Sequence, residues 1–240
     1  MSKKLLFREQ LKKIFYDIRF LSQIKFSKLK QTIKLLKISK SQLRQDLFVL
    51  THLDFKTHGY FVEFGAADGV HLSNSYLLEK EFAWHGILVE PARSFENILK
   101  KNRVNSIIET LCVYKESNLT LNFRETFDIN LSTIDGFANN DFHKINRDKY
   151  INYEVKTISL NDLLNKYAAP KHIDYLSIDT EGSEFEILNA FDFDSYNVKI
   201  ITVEHNYSHN YNSLRLLLNS KGYKQKFASI SKFDSWWIKI

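Results

Sequence analysis

A chain of 240 residues with 44% apolar and 26% charged side chains is long enough for one large core and too apolar for a disordered tail, and its length argues against two domains. Its single cysteine, Cys112, excludes a disulfide framework and any thiolate-rich zinc or iron–sulfur site, and no run approaches the ~18 apolar residues of a membrane span. The net charge of +6 is uneven: residues 1–45 hold 13 Lys and Arg against Glu9 and Asp17, which leaves an acidic remainder. Basic charge confined to an arm, on a body without a base-stacking or groove-reading motif, does not predict nucleic-acid binding. The N-terminus lacks the apolar core and cleavage site of a signal peptide, so the cytoplasm is the expected location.

In the arm, Phe7, Leu11, Ile14, Ile18, Leu21 and Ile24 recur at spacings of three and four, which predicts an amphipathic helix with Lys12, Lys13 and Arg19 off its apolar face. That face is expected to pack on the body or on a second subunit of a homodimer, the alternative being peripheral contact with the inner face of a membrane. Ser39 or Ser41 is placed to cap a second helix through about Leu53, with Leu43, Leu47 and Leu50 on one side. The organisation read is an arm over 1–40 and a body over 41–240. From Tyr60 the pattern becomes short apolar runs alternating with helical stretches, the signature of an α/β fold with a parallel sheet. Strands are predicted near 60–64, 86–90, 107–113, 173–179 and 198–204, and helices near 73–82, 94–102, 160–167, 183–190 and 211–221. Two further strands, joined near 231–234, are predicted for the tail. Residues 117–153 are polar and aromatic-rich and read as an insertion beside the site, with an antiparallel hairpin as one form for it.

Four stretches carry chemistry. In Phe61-Val-Glu-Phe-Gly-Ala-Ala-Asp-Gly69 a strand runs into two glycines four apart, which turns the backbone and lets a ligand approach main-chain amides. The three-glycine dinucleotide pattern is absent, which disfavours a nicotinamide or flavin cofactor. Gly86-Ile-Leu-Val-Glu-Pro91 ends a strand on Glu90, spaced from the glycine turn so as to accept both hydroxyls of a ribose. Two more strands end in Asp179-Thr-Glu181 and in Glu204-His-Asn206, where open α/β sheets bind ligands. Carboxylates and an imidazole meeting there predict either a hard divalent cation or a general base for a hydroxyl substrate. The histidines at 52, 58, 71, 85, 143, 172 and 209 lack ligand spacing and read as surface or packing residues.

Taken together, Glu63-Phe-Gly-Ala-Ala-Asp-Gly69, Ser73-Asn-Ser75, Glu90-Pro91, Ile178-Asp-Thr-Glu-Gly-Ser-Glu184 and Val203-Glu-His-Asn206 resemble the FkbM-type methyltransferases, and Ser41-Gln42 and Gln45-Asp46 resemble the segment before the cofactor strand in that family. The likeness spans roughly residues 41–240. It implies a class I methyltransferase (Rossmann-like) fold: a seven-stranded, mostly parallel sheet with the last strand antiparallel and helices on both faces. It also implies S-adenosylmethionine as cofactor and transfer of its methyl group to a hydroxyl, commonly of a sugar or polyketide. By that resemblance Glu63, Gly65, Ala66 and Gly69 hold the methionine part of the cofactor, Asn74 closes the pocket, Glu90 takes the ribose, and Cys112 and Val113 border the adenine. Asp179, which also borders the cofactor, His205 and Glu181 are the expected catalytic residues. Asp179, Glu204 and His205 are the expected ligands of Mg²⁺ or Mn²⁺ if the reaction is metal-assisted. The expected acceptor is a nucleotide-linked or glycan sugar, for which Tyr207, Tyr211 and Trp236 offer aromatic walls. Competing readings are a non-catalytic module recruited by its arm and a metal-dependent phosphodiesterase built on Asp179, Glu181, Glu204 and His205; the latter leaves the glycine turn and Glu90 without a purpose.

Overall fold

A computed structural model describes residues 3–127, 131–138 and 147–240. His143 lies outside the described residues. In chain order α1 (Lys3–Leu21), α2 (Phe26–Leu35) and α3 (Gln45–His52) lead into β1 (Tyr60–Phe64), α4 (Tyr76–Phe82), β2 (His85–Val89), α5 (Glu96–Asn102) and β3 (Ile107–Glu109). Then follow β4 (Cys112–Tyr114), β5 (Thr120–Thr126), β6 (Thr133–Ile134), β7 (Tyr150–Ser159), α6 (Leu160–Lys166), β8 (His172–Ile178) and α7 (Glu184–Asn189). The chain closes with β9 (Asn197–Glu204), α8 (Tyr211–Ser220), β10 (Tyr223–Lys226) and β11 (Asp234–Lys239).

The main sheet has seven strands in the order β10-β11-β9-β8-β1-β2-β3. Pairs from β9 through β3 are parallel, whereas β11 is antiparallel to both of its neighbours, so β10 again runs with the rest. The seven strands and the antiparallel last one are those the resemblance implies. Alternation along β1 assigns the two faces. Tyr60, Val62 and Phe64 pack with Leu163 of α6, Ile187 of α7 and Leu214 of α8, while Phe61 packs with Leu47 of α3, Leu78 of α4 and Leu99 of α5. Helices therefore cover both faces, and the order reverses beside β1, which opens a crevice at the carboxyl ends of β1, β2, β8 and β9.

The apolar run predicted as one strand over 107–113 divides into β3, which pairs with β2, and β4, which pairs with β7 in a second sheet of order β4-β7-β5-β6. The break is made by Glu109, whose Oε1 accepts the amides of Thr110 and Leu111 at 2.8 and 2.9 Å. Within the insertion, β5 and β7 pair antiparallel from Thr120–Lys156 to Thr126–Tyr150, the hairpin form, and β6 adds to its edge. Helix α4 starts three residues later than predicted, because the Ser73 hydroxyl accepts the Ser75 and Tyr76 amides and holds them in a turn. Ser41, expected as a cap, accepts the Asp46 amide in the first turn of α3 at 3.1 Å, but the residue in the cap position is Arg44, in a left-handed conformation at φ 66°.

The arm meets the body through the side opposite its predicted apolar stripe. Phe20 is buried against Phe227 and Trp236, Asp17 pairs with the Arg44 guanidinium at 2.8 Å, the Tyr16 hydroxyl donates to the Leu43 carbonyl at 2.7 Å, and Arg19 donates to the Ser229 carbonyl at 2.8 Å. Phe7, Leu11, Ile14 and Ile18, for which packing on the body is one expectation beside a second subunit or a membrane, are exposed. The aromatic and charged partners of the body lie a third to a half turn away from that stripe, and they decide which way the helix faces.

Candidate functional site

The crevice holds a cavity of about 1090 Å³, counting the space open to solvent. Four loops build it. After β1 the chain turns at Gly65, whose φ of +72° is left-handed and where an added Cβ would lie 2.0 Å from the Asp179 carbonyl oxygen, so only glycine lets the β1 and β8 loops meet. Glu63 lines the cavity but spends its carboxylate on the next loop. Its Oε1 accepts the Asn74 amide at 2.7 Å and its Oε2 accepts the Ser73 and Ser75 hydroxyls. Asn74 is thereby presented to the cavity with its Nδ2 donating to Ser177 Oγ at 3.0 Å, and its Oδ1 is buried with no hydrogen-bond partner.

Beneath this loop lies Arg103, fully buried. It donates to Glu79 at 2.8 Å, to the Gly69 carbonyl at 3.0 Å and to the Ser73 and Ser75 hydroxyls at 3.2 and 2.9 Å. That contact explains Gly69, which does not line the cavity as expected: at φ +76°, an added Cβ would lie 2.6 Å from both Leu99 and Arg103. Ala66 is likewise not at the cavity, because it faces the core layer shared with Phe61 and Leu99. Ala67 takes its place in the lining.

Glu90 follows β2. Its Oε2 accepts the Ala67 amide at 2.9 Å and its Oε1 the Ala92 amide at 2.8 Å, which fixes the carboxylate at the cavity wall while each oxygen keeps a second lone pair. Burial raises its pKa from 4.5 to about 7. Cys112 and Val113 line the same end, and burial together with the Glu90 charge pushes the Cys112 thiol up to about 12, so this cysteine is an apolar wall and not a nucleophile.

At the opposite side Asp179, Glu181 and Glu204 each present a carboxylate oxygen, all within 4.8 Å of one another. Glu181 is turned inward by a φ of +57°, and the loop is held by Glu184, whose Oε1 accepts the Thr180 and Gly182 amides at 3.0 and 2.9 Å. Burial, and then the neighbouring acids Glu184, Asp234 and Glu63, raise Asp179 to about 7 against a lowering hydrogen bond with Glu204. Glu204 is raised by burial and by Asp179 and Glu181. Donors converge from behind: Asn206 Nδ2 lies 2.7 Å from Glu204 Oε2 and 3.3 Å from Glu181 Oε2, and Arg147 reaches Glu181 Oε2 at 2.7 Å. Arg147, buried, also donates to the Leu131 and Ala138 carbonyls at 2.8 and 3.1 Å, tying the insertion to the acidic group.

His205 does not join this group, contrary to its expected place as a ligand and base. It follows Glu204 at the strand end, where successive side chains point to opposite faces. Its Nε2 is 3.2 Å from the Asp234 carbonyl, its Nδ1 accepts the Tyr207 amide at 3.1 Å, and its ring stacks on Tyr211 with centroids 3.9 Å apart. Both nitrogens are engaged, and burial lowers its pKa to about 4. Tyr211 is occupied in that stack, Trp236 is fully buried, and neither these two nor Tyr207 lines the cavity. The aromatic lining is Phe64, Phe123 and Phe233. Gln42, Gln45 and Asp234 complete the wall beside Glu204, with Gln45 donating to Asp234 at 2.8 Å, whereas Asp46 is buried away from it on Ser39. Arg103 and Arg147 as positioning groups, and Asp234 as a wall, had no marked pattern in the sequence, whereas Asn206 stood in the strand-end Glu204-His-Asn206 but without this role.

The family profile described as the methyltransferase FkbM domain matches residues 63–224, from within β1 to the start of β10, and includes the loops that follow β1, β2, β8 and β9. The chain belongs to the FkbM methyltransferase family. Among curated proteins none matches it in sequence. Solved structures similar to this FkbM-family chain include a precorrin-6y C5,15-methyltransferase from Geobacter metallireducens GS-15, with 11% identity, TM-score 0.41 and coverage of 75% of this chain and 71% of that one. A human methyltransferase 10 domain containing protein gives 12% identity, TM-score 0.44 and coverage of 82% and 80%. A Methanococcus jannaschii fibrillarin pre-rRNA processing protein gives 10% identity, TM-score 0.37 and coverage of 84% and 74%.

Proposed function

We propose that this FkbM-family chain is an S-adenosylmethionine-dependent O-methyltransferase acting on a hydroxyl of a sugar, carried on a nucleotide or within a surface glycan. The observation that carries the reading is one cavity with two chemically distinct ends: Glu90, Cys112 and Val113 at one, and Asp179, Glu181 and Glu204 at the other, with Asn74, held on Ser177 of β8, in its wall. The first end, together with Asn74, fits the cofactor. The unpartnered Asn74 Oδ1 calls for a donor such as the cofactor's ammonium, the spare lone pairs of Glu90 suit a ribose diol, and Cys112 and Val113 offer an apolar border for adenine. S-adenosylmethionine, when bound, supplies a methyl group already activated on a sulfonium sulfur.

The chain's own residues then orient the acceptor oxygen, keep water out and receive its proton. Asp179 suits the last task, since a carboxyl raised to about 7 by burial exchanges a proton near neutral pH, and Glu204 beside it shares that proton. Glu181 and Gln42 supply further polar atoms for neighbouring sugar hydroxyls. Three carboxylates are also hard oxygen donors of the kind that hold Mg²⁺ or Mn²⁺, and such an ion would lower the pKa of a bound hydroxyl. Arg147 already neutralises part of this charge and Asn206 donates hydrogen bonds to it, so a cation and a shared proton are alternative ways of balancing the rest.

The test is transfer of label from methyl-labelled S-adenosylmethionine to a panel of sugars and nucleotide sugars, with and without a chelator. An alkali-stable methyl ether is expected. Label found only in alkali-labile esters or on nitrogen would refute O-methylation of a hydroxyl. Loss of transfer on chelation with recovery on adding Mg²⁺ or Mn²⁺ assigns the cation, whereas full transfer under chelation leaves Asp179 and Glu204 as the proton acceptor.

A further inference from the structure

The first two helices carry a surface that neither the body nor the cavity uses. Along α1, Phe7, Leu11, Ile14 and Ile18 form one stripe at spacings of three and four, and they are 60%, 38%, 53% and 57% exposed, with Phe15 at 66% beside them. On α2, Phe26 and Ile33 share a face with Lys30 and are 91% and 47% exposed. The helix cannot simply roll to bury its stripe, because Tyr16, Asp17, Arg19 and Phe20 fix its other side to the body. Arg8, Lys12 and Lys13 lie on the same helix off the stripe, and within residues 1–45 basic side chains outnumber acidic ones by 13 to 2.

A second copy meeting this surface stripe to stripe would bring two strongly basic segments together, which charge opposes. An acidic protein surface would answer the charge but offers no apolar layer for five large side chains in a row. An anionic lipid bilayer answers both at the right depths, with phosphates level with the lysines and acyl chains beneath the stripe. We infer that α1 and α2 dock this protein on the surface of an anionic bilayer, with Phe7, Leu11, Ile14, Phe15 and Ile18 entering the boundary between headgroups and acyl chains. The clamp on α1 is made by Leu43 and Arg44, between Gln42 and Gln45 of the cavity wall, so docking holds the cavity at a fixed place relative to the lipid. This inference is independent of the acceptor proposed above.

The experiment is co-sedimentation of the full chain with phosphatidylcholine vesicles made with and without phosphatidylglycerol, at low and high salt. Binding is expected to the anionic vesicles and to weaken with salt. Leu11→Ser, Ile14→Ser and Ile18→Ser together should lower the partition constant at least about tenfold, as should Arg8→Glu with Lys13→Glu, at about one factor of five per charge. All five positions are exposed, so an unchanged melting temperature will certify the fold. Equal binding to neutral vesicles, no binding to either, or undiminished binding by the triple variant overturns the inference. So does a dimer in sedimentation velocity that the triple variant dissociates while vesicle binding is absent, since the occupant is then a second copy.

Discussion

Glu90→Gln separates what a buried carboxyl costs the fold from what it gives a ligand. Because burial raises the folded-state pKa from 4.5 to about 7, the folded protein holds this proton more tightly than the unfolded chain does. The sign follows from proton counting: stability from this group is highest below about pH 4.5 and falls as pH rises through about 7, by about 3 kcal/mol in all. Glutamine abolishes that loss. It also replaces one oxygen by an NH₂ that faces a backbone donor, since the Ala67 and Ala92 amides occupy both oxygens, at a cost of about 1–3 kcal/mol. The variant should therefore be less stable than the parent near pH 5 and equal or more stable above about pH 8. Thermal denaturation across that range reads the crossing, and a stability difference independent of pH would refute the raised pKa. Titration calorimetry with S-adenosylhomocysteine should show affinity reduced at least about tenfold, one charge-assisted acceptor being lost. Undiminished affinity in a folded variant would mean that the ribose does not sit on Glu90.

Arg147→Met should lower stability by about 3–5 kcal/mol, a melting-temperature drop of roughly 6–20 °C, because it strips a buried partner from Glu181 and from two carbonyls of the insertion. Cofactor affinity should hold, and calorimetry showing it lost would mean that the insertion shapes the cofactor end as well. His205→Phe keeps the stack on Tyr211 and loses the contacts with the Asp234 carbonyl and the Tyr207 amide, so a stability loss of about 1–2 kcal/mol with kcat within about threefold is expected. A fall in kcat by orders of magnitude in a folded His205→Phe protein would return the imidazole to the chemistry.

The main sheet was legible because buried parallel strands read as apolar runs, and β1, β2, β8 and β9 lie within a residue of their expected bounds. The division of residues 107–113 was not, since Ile107 to Val113 is apolar enough for one strand and only the Glu109 side chain, by taking two amides, interrupts it. The small sheet had a similar difficulty. Its core pairs β5 with β7 across more than twenty residues of intervening chain, and no local periodicity encodes such a partner. Of the alternatives for the arm, packing of the stripe on the body did not hold: the stripe does mark an apolar face, but Phe20, Asp17 and Tyr16 found aromatic, ionic and carbonyl partners on the body, and these set which way the helix faces.

At the cavity the acids were legible where topology alone fixes them. Glu90, Asp179 and Glu204 stand at carboxyl ends of parallel strands of one sheet, β2, β8 and β9, and an open α/β sheet directs that edge at a ligand. His205 was assigned by the same rule and missed, because one residue past a strand end the pleat turns the side chain to the other face, and the Asp234 carbonyl and Tyr211 ring were waiting there. The positioning groups lay further out of reach. Arg103 reaches back 28 residues to Ser75, Arg147 forward 34 to Glu181, and Gln45 bonds across 189 residues to Asp234. A strand-end carboxylate can be found from its own neighbours in the chain, but what holds it ionised, aimed or protonated is contributed from remote segments. For this reason Glu181 could be named from the sequence, while its dependence on Arg147 and the insertion came only from the fold.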